Sequence, residues 1–88
     1  MNELAGKGAL ITGAGRGFGH ATAERFAEAG AELALNYRDS REGCQAIASR
    51  LEQAGRKALV VQADMTDGDA IARMARHVLE AFGRIDIL

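Results

Sequence analysis

Apolar residues fall along this chain in two alternating rhythms. Three short runs are unbroken or nearly so: Ala9-Leu10-Ile11, Leu33-Ala34-Leu35 and Ala58 to Gln62. Runs of this length, set among glycines, predict strands covered on both faces. Between them the apolar positions recur every three or four residues, as on one side of a helix. Gly19 to Ala29 is rich in Ala, Glu and Arg, with Phe18, Thr22 and Phe26 at i, i+4 and i+8, and Gly30 follows as a C-terminal cap. Asp39 or Ser40 then caps a helix whose inward face is Cys44, Ile47, Ala48 and Leu51, ended by Gly55. Thr66 or Asp67 opens a third helix with Ile71, Met74, Ala75, Val78, Leu79 and Phe82 on one face, closed by Gly83. Ile85, Ile87 and Leu88 begin a fourth strand, inside which the sequence stops. Strand and helix alternate throughout. That order predicts an α/β fold, a parallel sheet with helices on both faces, because parallel neighbours need a crossover between them.

Composition narrows the reading. The 88 residues carry 11 Lys plus Arg against 12 Asp plus Glu, a net charge of -1, and no proline. No charge run, low-complexity stretch or repeat marks a linker, so one domain is expected. Without a basic cluster there is no footprint for a nucleic-acid backbone. No apolar stretch approaches the roughly 18 residues of a membrane span, and no basic, then apolar, leader opens the chain. A cytoplasmic protein with neither nucleic acid nor membrane as partner is expected. The single cysteine, Cys44, makes neither an internal disulfide nor a multi-cysteine metal site, and it falls on a core stripe.

The chemistry concentrates between the first strand and the first helix. Thr12-Gly13-Ala14-Gly15-Arg16-Gly17-Phe18-Gly19 stands where backbone amides at a helix N-terminus face an anion. The spacing is not G-x-G-x-x-G, nor the nucleoside-triphosphate loop G-x-x-x-x-G-K-[ST]. It is G-x-x-x-G-x-G. Gly13 suits a tight turn, Gly17 a close approach of backbone to a pyrophosphate, and Gly19 close packing of helix on strands. The bland alternative is a flexible surface turn.

Thr12-Gly13-x-x-x-Gly17-x-Gly19 resembles the cofactor motif of the short-chain dehydrogenase/reductase family. Asn36-Tyr37-Arg38, Ala63-Asp64-Met65-Thr66-Asp67 and Phe82-Gly83-Arg84-Ile85-Asp86-Ile87-Leu88 are similar to family segments at comparable spacing, so the likeness spans the chain. Its flavour is that of β-ketoacyl carrier-protein reductases. The resemblance implies that residues 1–88 are the N-terminal βαβαβαβ portion of a single Rossmann-type NAD(P)-binding domain, cut in the fourth strand. It implies a spatial strand order of 3-2-1-4, with the crevice between the first and fourth strands.

The resemblance also assigns residues. Gly13, Gly15, Arg16, Gly17, Phe18 and Gly19 would form the cofactor turn. Tyr37 stands where an acidic residue would grip the ribose hydroxyls of NAD, and Arg38 beside it suits the 2′-phosphate of NADP, within reach of Arg16. NADP(H) is therefore preferred over NAD(H), although Asp39 is placed to neutralise Arg38. Asp64 is similar to the family aspartate that meets the adenine amino group, with the Met65 backbone alongside; its alternative role is to cap the helix near Thr66. Phe18 replaces a common aliphatic residue and is expected to narrow the nicotinamide side.

The family's catalytic Tyr-x-x-x-Lys pair, serine and asparagine lie beyond the fourth strand and have no counterpart here; Tyr37 is followed at the fourth residue by Arg41. His20 and His77 read as solvated helix positions. Two functions stay open. The first is the NADP(H)-binding portion of an oxidoreductase that moves hydride between NADPH and a small carbonyl or alcohol, in a homo-oligomeric full-length protein. The second is a stand-alone, non-catalytic nucleotide-binding or protein-interaction module.

Overall fold

The structure, a computed structural model, describes residues 3–87. Strands β1 (Gly8–Ile11), β2 (Glu32–Tyr37) and β3 (Ala58–Gln62) alternate with helices α1 (Gly17–Glu28), α2 (Arg41–Gln53) and α3 (Gly68–Phe82). The strands are parallel, with β2 in the middle; Ala9 pairs with Leu33 and Leu35 with Val60. On the other side of β1, Ile87 forms a parallel bridge with Ala9, and Leu10 N–H donates to the Ile87 carbonyl at 2.9 Å. The spatial order is therefore 3-2-1-4 as far as Ile87. Leu88, the last residue of the expected fourth strand, lies outside the described residues.

Side chains of a strand point alternately to its two faces, and here the alternation sorts the core into two clusters. Ile11, Leu33 and Leu35 pack with Ala23 and Ala27 of α1 and Cys44, Ile47, Ala48 and Leu51 of α2. Leu10 and Ala34 face the other way, toward Met74 and Val78 of α3. Helices thus cover both faces, and the expected inward residues of α2 are the ones that are buried. Burial pushes the Cys44 thiol up, so it stays protonated as a core residue.

Three expectations change. Of the stripe Phe18, Thr22 and Phe26, only Phe26 packs against the core, half-buried, while α1 starts at Gly17 and fully buries Ala23 and Ala27. Small side chains let this helix lie close to the sheet, which leaves Phe18 95% exposed. On α3, Leu79 is 47% exposed, and only Met74 and Val78 of the predicted face are fully buried. Finally, β3 is half-buried because it is the outer strand of the sheet. Of the two caps proposed for each of α2 and α3, Ser40 and Asp67 hold the position. Asp67 Oδ1 accepts from Asp69 N and Ala70 N at 3.0 and 3.3 Å, whereas the Ser40 side chain makes no capping bond.

The segment after α3 is tied to β1 by Asp86. Its carboxylate accepts from Gly8 N at 2.8 Å and from Arg84 Nε at 2.8 Å, and Arg84 also reaches the Gly6 carbonyl. The Gly8 amide, and then Arg84, hold this carboxyl below the usual carboxylate range. A carboxyl lowered in the folded state adds stability at neutral pH, and that stability is lost as pH falls through its folded-state titration. We therefore expect Asp86→Asn to lower the urea midpoint at about pH 7, with the gap from wild type closing as pH falls below the usual carboxylate range. A gap that stays constant with pH would remove the carboxylate's charge from the account.

Candidate functional site

The glycine turn is built by backbone constraints that only its sequence satisfies. Gly13 and Gly17 have φ of 61° and 65°, in the left-handed region that side chains disfavour. Nothing lies within 4 Å of where a Cβ on Gly17 would stand, so that side of the turn is open. A Cβ on Gly19 would strike the Gly13 carbonyl. The close approach expected of Gly19 is therefore between α1 and the turn itself, not between α1 and the strands. A Cβ on Gly15 would meet the Ser40 backbone, which brings the start of α2 against the same turn.

The first turn of α1 has no side-chain cap from Arg16 and no acidic residue. Its free amides and the positive end of the helix dipole are left uncompensated, the condition for holding an anion. Beside it, a cavity of about 350 Å³ opens between Gly13, Gly15 and Arg16 on one wall and Tyr37 to Ser40 on the other. Five of the expected residues thus meet in one place. Phe18 projects into solvent from α1, away from any packing. Met65, 41% exposed, lines a separate apolar cleft with Leu10, Thr12, Ile71, Met74 and Ile85.

Asp64 and Arg38 come together across the ends of β2 and β3. Arg38 Nη2 lies 3.6 Å from Asp64 Oδ2, so the carboxylate facing Arg38 is Asp64, whereas the sequence pointed to Asp39. Arg38 is mostly exposed and Asp64 partly so, and such solvent-facing pairs contribute little to stability. Asp64 Oδ1 accepts from Thr66 N at 2.9 Å and Thr66 Oγ1 at 2.7 Å. These bonds to Thr66, with a smaller push from Arg38, hold the Asp64 carboxyl low and therefore charged. Asp64 shapes the turn before α3 but does not cap it, since Asp67 does.

Two positioning residues escaped sequence reasoning. Asn36 is 1% exposed, at the end of the β2 apolar run. Its Oδ1 accepts from Gly13 N at 3.1 Å, its Nδ2 donates to the carbonyls of Val61 and Ala63 at 3.4 and 3.3 Å, and its own carbonyl accepts from Ala14 N at 2.7 Å. One amide thereby clamps the glycine turn to the end of β3. A polar residue continuing an alternation of buried apolar ones was its signal. His20 was read as solvated, yet it is half-buried. Its Nδ1 lies 3.2 Å from the Ala14 carbonyl and its Nε2 3.7 Å from Glu24, so it braces the turn from α1. His77 is exposed, as expected.

Among the described residues no helix is long and apolar enough to cross a membrane, and no group of His, Cys, Asp and Glu is arranged for a metal ion. The family model for short chain dehydrogenases matches residues 7–88. A versicolorin reductase of Emericella nidulans is 40% identical over 98% of this chain and 33% of its own length. A short chain dehydrogenase from Burkholderia cenocepacia, solved in complex with NADP, is 44% identical with a TM-score of 0.89, covering 98% of this chain and 36% of that one. A blue fluorescent protein from a metagenomic library, solved with NADPH, is 32% identical with a TM-score of 0.90. The chain spans about a third of the length of these relatives. With its family-model match running from residue 7 to residue 88, the chain belongs to the short chain dehydrogenase family.

Proposed function

We propose that this chain is the NADP(H)-binding portion of a single Rossmann domain in a carbonyl reductase or alcohol dehydrogenase. The observation that carries the reading is the convergence of Arg16 and Arg38 on one cavity beside an uncapped helix N-terminus. The first-turn amides of α1, with Gly17 open in front of them, would hold the pyrophosphate. Arg16 and Arg38 would hold the 2′-phosphate, Tyr37 the adenosine ribose face, and Asp64 with the Met65 backbone the adenine. NAD(H) would fit the same turn without the arginine contacts. The bound cofactor supplies the hydride, exchanged with a small carbonyl or alcohol. The chain's own contribution is to fix the dinucleotide by its phosphates and adenosine. Family resemblance supports a homo-oligomer for the complete protein, and the composition of the chain supports a cytoplasmic one.

Titrating NADPH and NADH into the complete protein by fluorescence, then adding a panel of aldehydes and ketones, tests this. NADPH is expected to bind about tenfold or more tightly than NADH, and at least one carbonyl to drive its oxidation. Absence of NADPH binding defeats the reading as a whole. Tight binding with no turnover on any carbonyl or alcohol favours a binding module.

A further inference from the structure

One glycine has no place in the cofactor motif and stands where glycine is costly. Gly43 is the third residue of α2, and glycine inside a helix costs about 1 kcal/mol relative to alanine. It has no positive φ to require it. What requires it is contact: a Cβ on Gly43 would run into the carbonyl oxygen of Gly15, while a Cβ on Gly15 would run into the backbone of Ser40. Two glycines thus oppose each other across the join between the cofactor turn and the start of α2. Gly15 and Ser40 also line the cavity that has Arg16 on one side and Arg38 on the other, while Gly43 stands just outside it, lining an adjoining pocket with Gly15, Asp39 and Ser40.

We infer that Gly43 is a positioning residue that sets the width of this cavity, and through it the selectivity for a 2′-phosphorylated adenosine. This rests on the proposed NADP(H) site. Any side chain at position 43 pushes α2 and its leading loop, Tyr37 to Ser40, away from the turn. Arg38 then moves away from Arg16, and a phosphate bridging the two loses one of them. The nicotinamide half of the cofactor does not touch this join, so the loss falls on the adenosine end.

The test uses adenosine 2′,5′-bisphosphate and adenosine 5′-monophosphate as probes, by calorimetry on the complete protein. Wild type, Gly43→Ala and the control Gly68→Ala are compared; Gly68 opens α3 with nothing within 4 Å of its Cβ position. Gly43→Ala is expected to cut bisphosphate affinity about tenfold while leaving the monophosphate within about twofold, at a melting temperature below wild type's because backbone must shift to admit the Cβ. Gly68→Ala should leave both affinities alone. A folded Gly43→Ala protein with unchanged discrimination overturns the inference. Should that variant not fold, hydrogen exchange on wild type decides: the bisphosphate should slow exchange in residues 13–16 and 40–43 together, and slowing confined to 13–16 overturns it. Wild-type protein that binds both probes equally would instead sink the NADP(H) reading beneath it.

Discussion

Arg38→Ala should abolish most of the preference for NADPH over NADH. Charge-assisted hydrogen bonds contribute about 1.5 to 3 kcal/mol each, so NADPH affinity should fall by roughly tenfold to a hundredfold. NADH has no 2′-phosphate and should bind the variant about as well as wild type. The Arg38 side chain is mostly exposed, and among the described residues its ionic partner is the partly exposed Asp64 at 3.6 Å. Thermal stability should therefore stay within about 0.5 kcal/mol, which separates a lost contact from a lost fold. Parallel titrations of both cofactors provide the check. An unchanged affinity ratio would shift phosphate recognition to Arg16, and Arg16→Ala would then show the loss.

The largest effect on the fold belongs to Asn36→Ala. The substitution strips Gly13 N–H of its acceptor and leaves the Val61 and Ala63 carbonyls without this donor, the Ala63 bond buried and the other two partly so. A buried polar group left without a partner costs about 1 to 3 kcal/mol, so a loss of about 2 to 3 kcal/mol is expected by chemical denaturation. Because Gly13 begins the glycine turn proposed to hold the cofactor phosphates, cofactor affinity should fall as well, even at temperatures where the variant is fully folded. A stability change under about 0.5 kcal/mol, the level of an ordinary surface substitution, would show that water replaces the amide at no cost.

The architecture was readable because burial and period coincide. Cys44, Ile47, Ala48 and Leu51 are at helical spacing and are all buried, and the run from Ala58 to Gln62 is a strand to the residue. Helix α1 misled because it meets the sheet through Ala23 and Ala27, whose small side chains give a weak hydrophobic signal, while its large Phe18 is exposed. The glycine turn was legible through spacing. Its supports were not, for a reason of distance: Asn36, His20 and Gly43 act on the turn through partners between 6 and 28 positions away in sequence. Local periodicity carries no record of such contacts. Arg38 follows β2, but its ionic partner Asp64 comes from the loop after β3, where no neighbour rule would look.

The sorting of β2 side chains by size has a consequence for misfolding. Leu33 and Leu35 face α1 and α2, whereas Ala34 faces α3. A slip of one residue in the pairing of β2 with β1 would exchange these faces, crowding two leucines against α3 and leaving two holes under α1 and α2. The same slip would carry Asn36 away from Gly13 and dismantle the glycine turn. A chain paired out of register therefore has neither a filled core nor an anion site. A ligand that binds the turn would draw the population toward the one register in which both exist.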